Sequence, residues 1–146
     1  MRSLCPSFLL SQFLLAMCLS APGLVRADIA VIVHRDSPVL ALSARQVSDL
    51  YLGRTRNIGS GELLSIYEHP VDSAAREKFF HDLNGMTLKQ INAYWARLRF
   101  SGEVLPPISL SDDRALLSAV RRDRNAIAYV DTSVLDDSVR VVMVIK

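Results

Sequence analysis

Strands alternating with helices along the chain predict an α/β fold, a mostly parallel sheet flanked by helices with right-handed crossovers. Three observations carry this. Ile29 to Val33 (IAVIV) is a continuous, β-branched apolar run, the pattern of a strand buried on both faces. Two S/T-x-x-Q capping boxes, Ser43 with Gln46 and Thr87 with Gln90, each open an amphipathic stretch. Two further β-rich runs, Ala126 to Val130 (AIAYV) and Val139 to Ile145 (VRVVMVI), close the chain.

The elements follow in order. After the first strand, the Ser43 box starts a helix with Val47, Leu50 and Tyr51 on one face, and Gly53 stops it. Arg54 to Gly61 is a polar loop, and Leu63 to Tyr67 (LLSIY) is a second strand. Asp72 or Ser73 caps the next helix, with Ala75, Phe79 and Leu83 on one face and Asn84-Gly85 at its end. The Thr87 box opens a helix with the stripe Leu88, Ile91, Trp95 and Leu98, which predicts a buried Trp95. Ser101-Gly102 breaks that pattern, and Pro106-Pro107 makes an extended link. Ser111 or Asp112 caps a fourth helix carrying Leu116, Leu117 and Val120.

The 146 residues suit one domain, and no internal linker divides them. Half the residues are hydrophobic and 22% are charged, which excludes a disordered chain. No apolar run reaches the roughly 18 residues of a membrane span. Residues 1–27 read as a secretory leader: Arg2, a short apolar stretch from Leu9 to Leu19, and Val25-Arg26-Ala27 as a cleavage site. Residues 28–146 then form the domain, exported to the periplasm. Both cysteines, Cys5 and Cys18, fall in the leader, so the domain has no disulfide, Cys-ligated zinc or Cys nucleophile. Leu15-Ala16-Met17-Cys18 approaches a lipoprotein signal, but Met17 is large for the position before a lipidated Cys. The leader holds two of the 17 basic residues and none of the 15 acidic ones. A neutral balance remains, which argues against nucleic acid as a partner.

Catalytic and cofactor motifs are absent. Neither G-x-G-x-x-G nor G-x-x-x-x-G-K-[ST] occurs, and Gly59-Ser60-Gly61 is a lone turn. His34, His69 and His81 lack the spacing of paired metal ligands on a helix. His69, Asp72 and Ser73 are the residue types of a hydrolase triad, crowded too closely to align. The expectation is a protein that is not an enzyme and takes no cofactor. The informative segment is Glu68-His69-Pro70-Val71-Asp72-Ser73-Ala74-Ala75-Arg76, between a strand and a helix. Ligands of open α/β sheets sit beyond the carboxyl ends of strands, and a helix N-terminus favours an anion. Ser73 offers a hydroxyl and Arg76 a guanidinium fork. The plainer alternative makes Ser73 or Asp72 an N-cap and Arg76 a solvated surface charge.

The ordered segments IAVIVH, DLYLGRTRNIGSGE, HPVDSAAREKFF, NAYWARLRFSGEVLPP and AIAYVD resemble the small, single-lobe relatives of the periplasmic phosphate-binding protein, the solute-binding component of the phosphate ABC transporter. The resemblance implies one lobe of a type II periplasmic binding protein. It also implies a ligand turn of Ser-Gly-Thr with an Arg four residues before the Ser. Here Ser73 keeps the Ser, Ala74 and Ala75 stand at the Gly and Thr positions, and His69 stands at the Arg position. Arg76, in a Ser-x-x-Arg-x-x-Phe pattern with Phe79, is the candidate replacement for the lost charge. Ile58 sits where relatives tend to have Trp. Two functions follow from the resemblance. One is a module binding phosphate or another small oxyanion weakly, working with a membrane transporter or sensor protein or by self-association. The other is an accessory protein that keeps the lobe and has lost the anion site.

Overall fold

The computed structural model describes residues 27–59 and 61–146; both cysteines, Ser60 and all of the expected leader except Ala27 lie outside them. The elements are β1 (Ile29–His34), α1 (Ala44–Tyr51), β2 (Ser65–Glu68), α2 (Ala74–Asn84), α3 (Leu88–Ser101), β3 (Ile108–Ser109), α4 (Asp113–Arg122), β4 (Ala126–Asp131) and β5 (Val139–Ile145). Both capping boxes form. Ser43 and Thr87 each accept from the third residue of their helix, whose Gln side chain returns to the cap N–H. Gly85 and Gly102 end α2 and α3 in the left-handed region at φ 66° and 71°, where a side chain would be strained.

One five-stranded sheet runs β3-β2-β4-β1-β5. It is mixed. β2 lies parallel to β3 and β4, while β1 lies antiparallel to β4 and β5. The helical crossovers serve the parallel half, as the α/β pattern requires. The direction of β1 was not encoded in its apolar run, because such a run reports burial on both faces and says nothing of polarity.

That burial is complete. Ile29, Val31 and Val33 face a core shared with α1, α2 and α3, and Ala30 and Ile32 face a second core under α4. The larger core is aromatic: Phe79 stacks on Tyr129 at 3.7 Å between centroids, and Tyr51 meets both edge-on. Trp95 is buried, as its stripe predicts. The second strand starts at Ser65, and Leu63 is left exposed. β3 went unread in the sequence: two residues after Pro106-Pro107 form an exposed edge strand.

Candidate functional site

β2 ends at Glu68, and the chain turns through Val71 into α2, so the segment singled out in the sequence lies at the carboxyl end of a parallel strand. Ser73 is the N-cap of α2: its Oγ accepts from Arg76 N at 3.2 Å. Ala74 is exposed and Ala75 half-buried. Their N–H groups lie in the first turn, where no carbonyl of the same helix can reach them. A helix end of this kind presents free N–H groups and a partial positive charge, which favour an anion. The acidic Asp72 is exposed beside it, and Glu77 lies in the first turn.

Arg76 is where the structure corrects the sequence reading. It is neither a solvated charge nor an open fork; only 1% of it is exposed. It sits on the inward face because Phe79 and Phe80 follow three and four residues later, both fully buried. Its Nε donates to Glu68 Oε2 at 3.0 Å, and its Nη1 donates to Val71 O and to Asn92 Oδ1. Its guanidinium also lies over the Phe80 ring. The sequence reading missed Glu68 and Asn92 as its partners. The inward spacing of Arg76 was the available signal; Asn92 on α3 had none.

His69 is also buried. Its Nε2 lies 3.0 Å from Asp113 Oδ1, and its ring packs against Tyr129. It therefore joins the end of β2 to the first turn of α4. The segment thus brings Ser73, Ala74 and Ala75 together at a helix end. It commits His69 and Arg76 to partners inside the protein.

Burial pushes the Glu68 carboxyl up, and the opposing pull of Arg76 and His69 does not cancel it. An acid whose folded pKa is raised stabilises the fold most when protonated. That contribution is present in full below the ordinary carboxylate range and is lost as pH rises through the folded value. Relative to Glu68→Gln, the wild-type protein is therefore expected to lose unfolding free energy from mildly acidic to neutral pH. Urea melts of both proteins at a series of pH values check this. Wild-type stability that rises with pH relative to Glu68→Gln would contradict it.

Among the described residues, no group of three His, Cys, Asp or Glu side chains is arranged to hold a metal. No helix among them is long and apolar enough to cross a membrane.

Solved structures share this fold. A candidate phosphate ABC transporter substrate-binding protein with bound phosphate, from Clostridium perfringens, superposes with a TM-score of 0.60 at 25% identity, over 80% of this chain and 45% of that one. The fold is that of about half of a phosphate-transport substrate-binding protein. An ABC-type phosphate transport receptor from Vibrio cholerae matches with a TM-score of 0.62 at 17% identity, over 80% of this chain and 46% of that one. This chain therefore spans under half the length of these receptors, as a single-lobe relative would. No family model and no curated protein matches the sequence.

Proposed function

We propose that this protein is a periplasmic solute-binding-like module that takes phosphate or a related small oxyanion at the start of α2. The carrying observation is the helix N-terminus of Ser73, Ala74 and Ala75 at the carboxyl end of β2, on a fold shared with a phosphate-bound receptor. The Ser73 hydroxyl and the first-turn N–H groups are the donors. Arg76 serves the site only through the loop it braces, since its Nε and Nη1 are taken by Glu68, Val71 and Asn92.

The magnitude follows from the missing half. Two lobes closing on an anion exclude water and strengthen every donor. An exposed contact on one lobe contributes about 0.2–1 kcal/mol, so a handful of them gives roughly millimolar affinity. Tighter binding requires pairing, with a second copy or with a transporter or sensor protein.

NMR titration of residues 28–146 with phosphate and sulfate tests the reading. Shifts confined to residues 69–77, saturating in the millimolar range and weakened by salt, are expected. Ser73→Ala should weaken binding, and Ala74→Gly with Ala75→Thr should tighten it. The capture of Arg76 by Glu68 favours a second reading, an accessory protein that keeps the lobe without its ligand. No shift on that segment at tens of millimolar phosphate would select it.

A further inference from the structure

A cleft of about 520 Å³ adjoins the segment at the start of α2 through Val71 and Arg76 and opens between α2, α3 and the stretch leading into β3. Its walls are mainly apolar: Val71, Trp95, Ala96 and Pro106-Pro107. The polar groups are few and come from four elements: Glu68 from β2, Arg76 from α2, Asn92 and Arg99 from α3, and Ser109 from β3. A cavity of this size with apolar walls and a few convergent polar groups has the form of a small-molecule site.

Two observations point to its occupant. Arg76 is almost wholly buried on the cleft wall, yet only Nε and Nη1 of its guanidinium have protein partners; Nη2 has none among the described residues. Nη2 is not among the buried atoms left without a partner, so it reaches solvent and is a donor open to a ligand. Arg99, exposed on the same wall, has no ion-pair partner among the described residues, so two guanidinium groups face the single carboxylate of Glu68. The lining therefore carries one positive charge in excess.

We propose that this cleft binds a small amphipathic monocarboxylate. Its apolar body lies against Trp95 and Pro106-Pro107, and its carboxylate is received by Arg76 Nη2 and Arg99. Phosphate is a poor occupant, because the apolar walls offer few donors to replace the water of a dianion. The cleft is thus distinct in its ligand chemistry from the start of α2, and the inference stands whether or not oxyanions bind there.

Trp95 is the only tryptophan in the chain, so one indole N–H resonance reports on the cleft. The experiment titrates the protein with phenylacetate, with the neutral isostere phenylacetamide, and with inorganic phosphate, following that resonance. Phenylacetate should shift it saturably, the amide should bind about threefold or more weakly, and phosphate should leave it in place. Arg99→Gln, an exposed change, should weaken phenylacetate about two- to fivefold, the size of an exposed charge contact. Ala96→Leu, which fills the cleft without touching a charge, should abolish the shift while the protein still melts cooperatively. No saturable shift at tens of millimolar phenylacetate would overturn the proposal. So would equal binding of acid and amide, or an Ala96→Leu protein that responds like wild type.

Discussion

Arg76→Met is expected to lower the unfolding free energy by about 3–5 kcal/mol at neutral pH. The substitution keeps most of the side-chain volume beside Phe80 but removes the charge that faces Glu68. Glu68 is only 3% exposed, so it cannot recover its lost partner from bulk water. Asn92 Oδ1 and Val71 O lose their donor as well. The buried carboxylate can escape only by taking up a proton, at about 1.36 kcal/mol for each unit its pKa must rise. The deficit should therefore be smaller near pH 5 than near pH 8. Adding Glu68→Leu should restore much of the loss, because an apolar replacement of a whole buried ion pair is often neutral or stabilising. Urea unfolding followed by circular dichroism measures all three proteins. A single mutant within about 1 kcal/mol of wild type at pH 8 would show that the pair is not desolvated as its burial implies.

The same residue marks how far the sequence could be read. Elements whose signals are local were legible: the capping boxes at Ser43 and Thr87 and the buried run of β1 form as their residues predict. The stripe through Ile91 and Trp95 is equally local, since both residues repeat on one helix face. What depends on the partner across space was hidden. Arg76 and Asp72 look alike in the sequence, as charges flanking a helix start. One is buried and the other exposed, because Phe79 and Phe80 draw the face carrying Arg76 into the core. Its partner Asn92 lies on another helix, and the antiparallel seating of β1 between β4 and β5 is a property of the closed sheet. His69 shows the same limit. The resemblance places it at a ligand-binding Arg position, and its imidazole holds Asp113. The placement of this segment between a strand end and a helix start was thus legible, while the burial of His69 and Arg76 was not.

Trp95→Ala should cost about 3–5 kcal/mol, a large share of the stability of a domain this size. The indole fills the space between α3, the turn after α1 and the segment after α3. A Cβ placed on Gly53 would come within 2.8 Å of its Cη2 and within 2.7 Å of Val104 Cγ1, which shows how closely the three segments meet. Tyr94, packed edge-on against Trp95, also ties α3 to that turn through a hydrogen bond to Leu52 O at 2.7 Å. Removing the ring leaves a cavity lined by groups that the short, capped ends of α1 and α3 hold in place, so little collapse can offset it. Trp95→Phe separates volume from polarity. The indole Nε1 is buried without a hydrogen-bond partner, a defect worth about 1–3 kcal/mol that phenylalanine removes. The smaller ring forfeits packing of a similar size, so Trp95→Phe should lie much closer to wild type than to Trp95→Ala. Thermal melts by circular dichroism, independent of indole fluorescence, compare the three. Equal melting of the alanine and phenylalanine proteins would mean that ring packing contributes nothing beyond the side chain's first carbon. Wild-type melting of the alanine protein would place Trp95 outside the core.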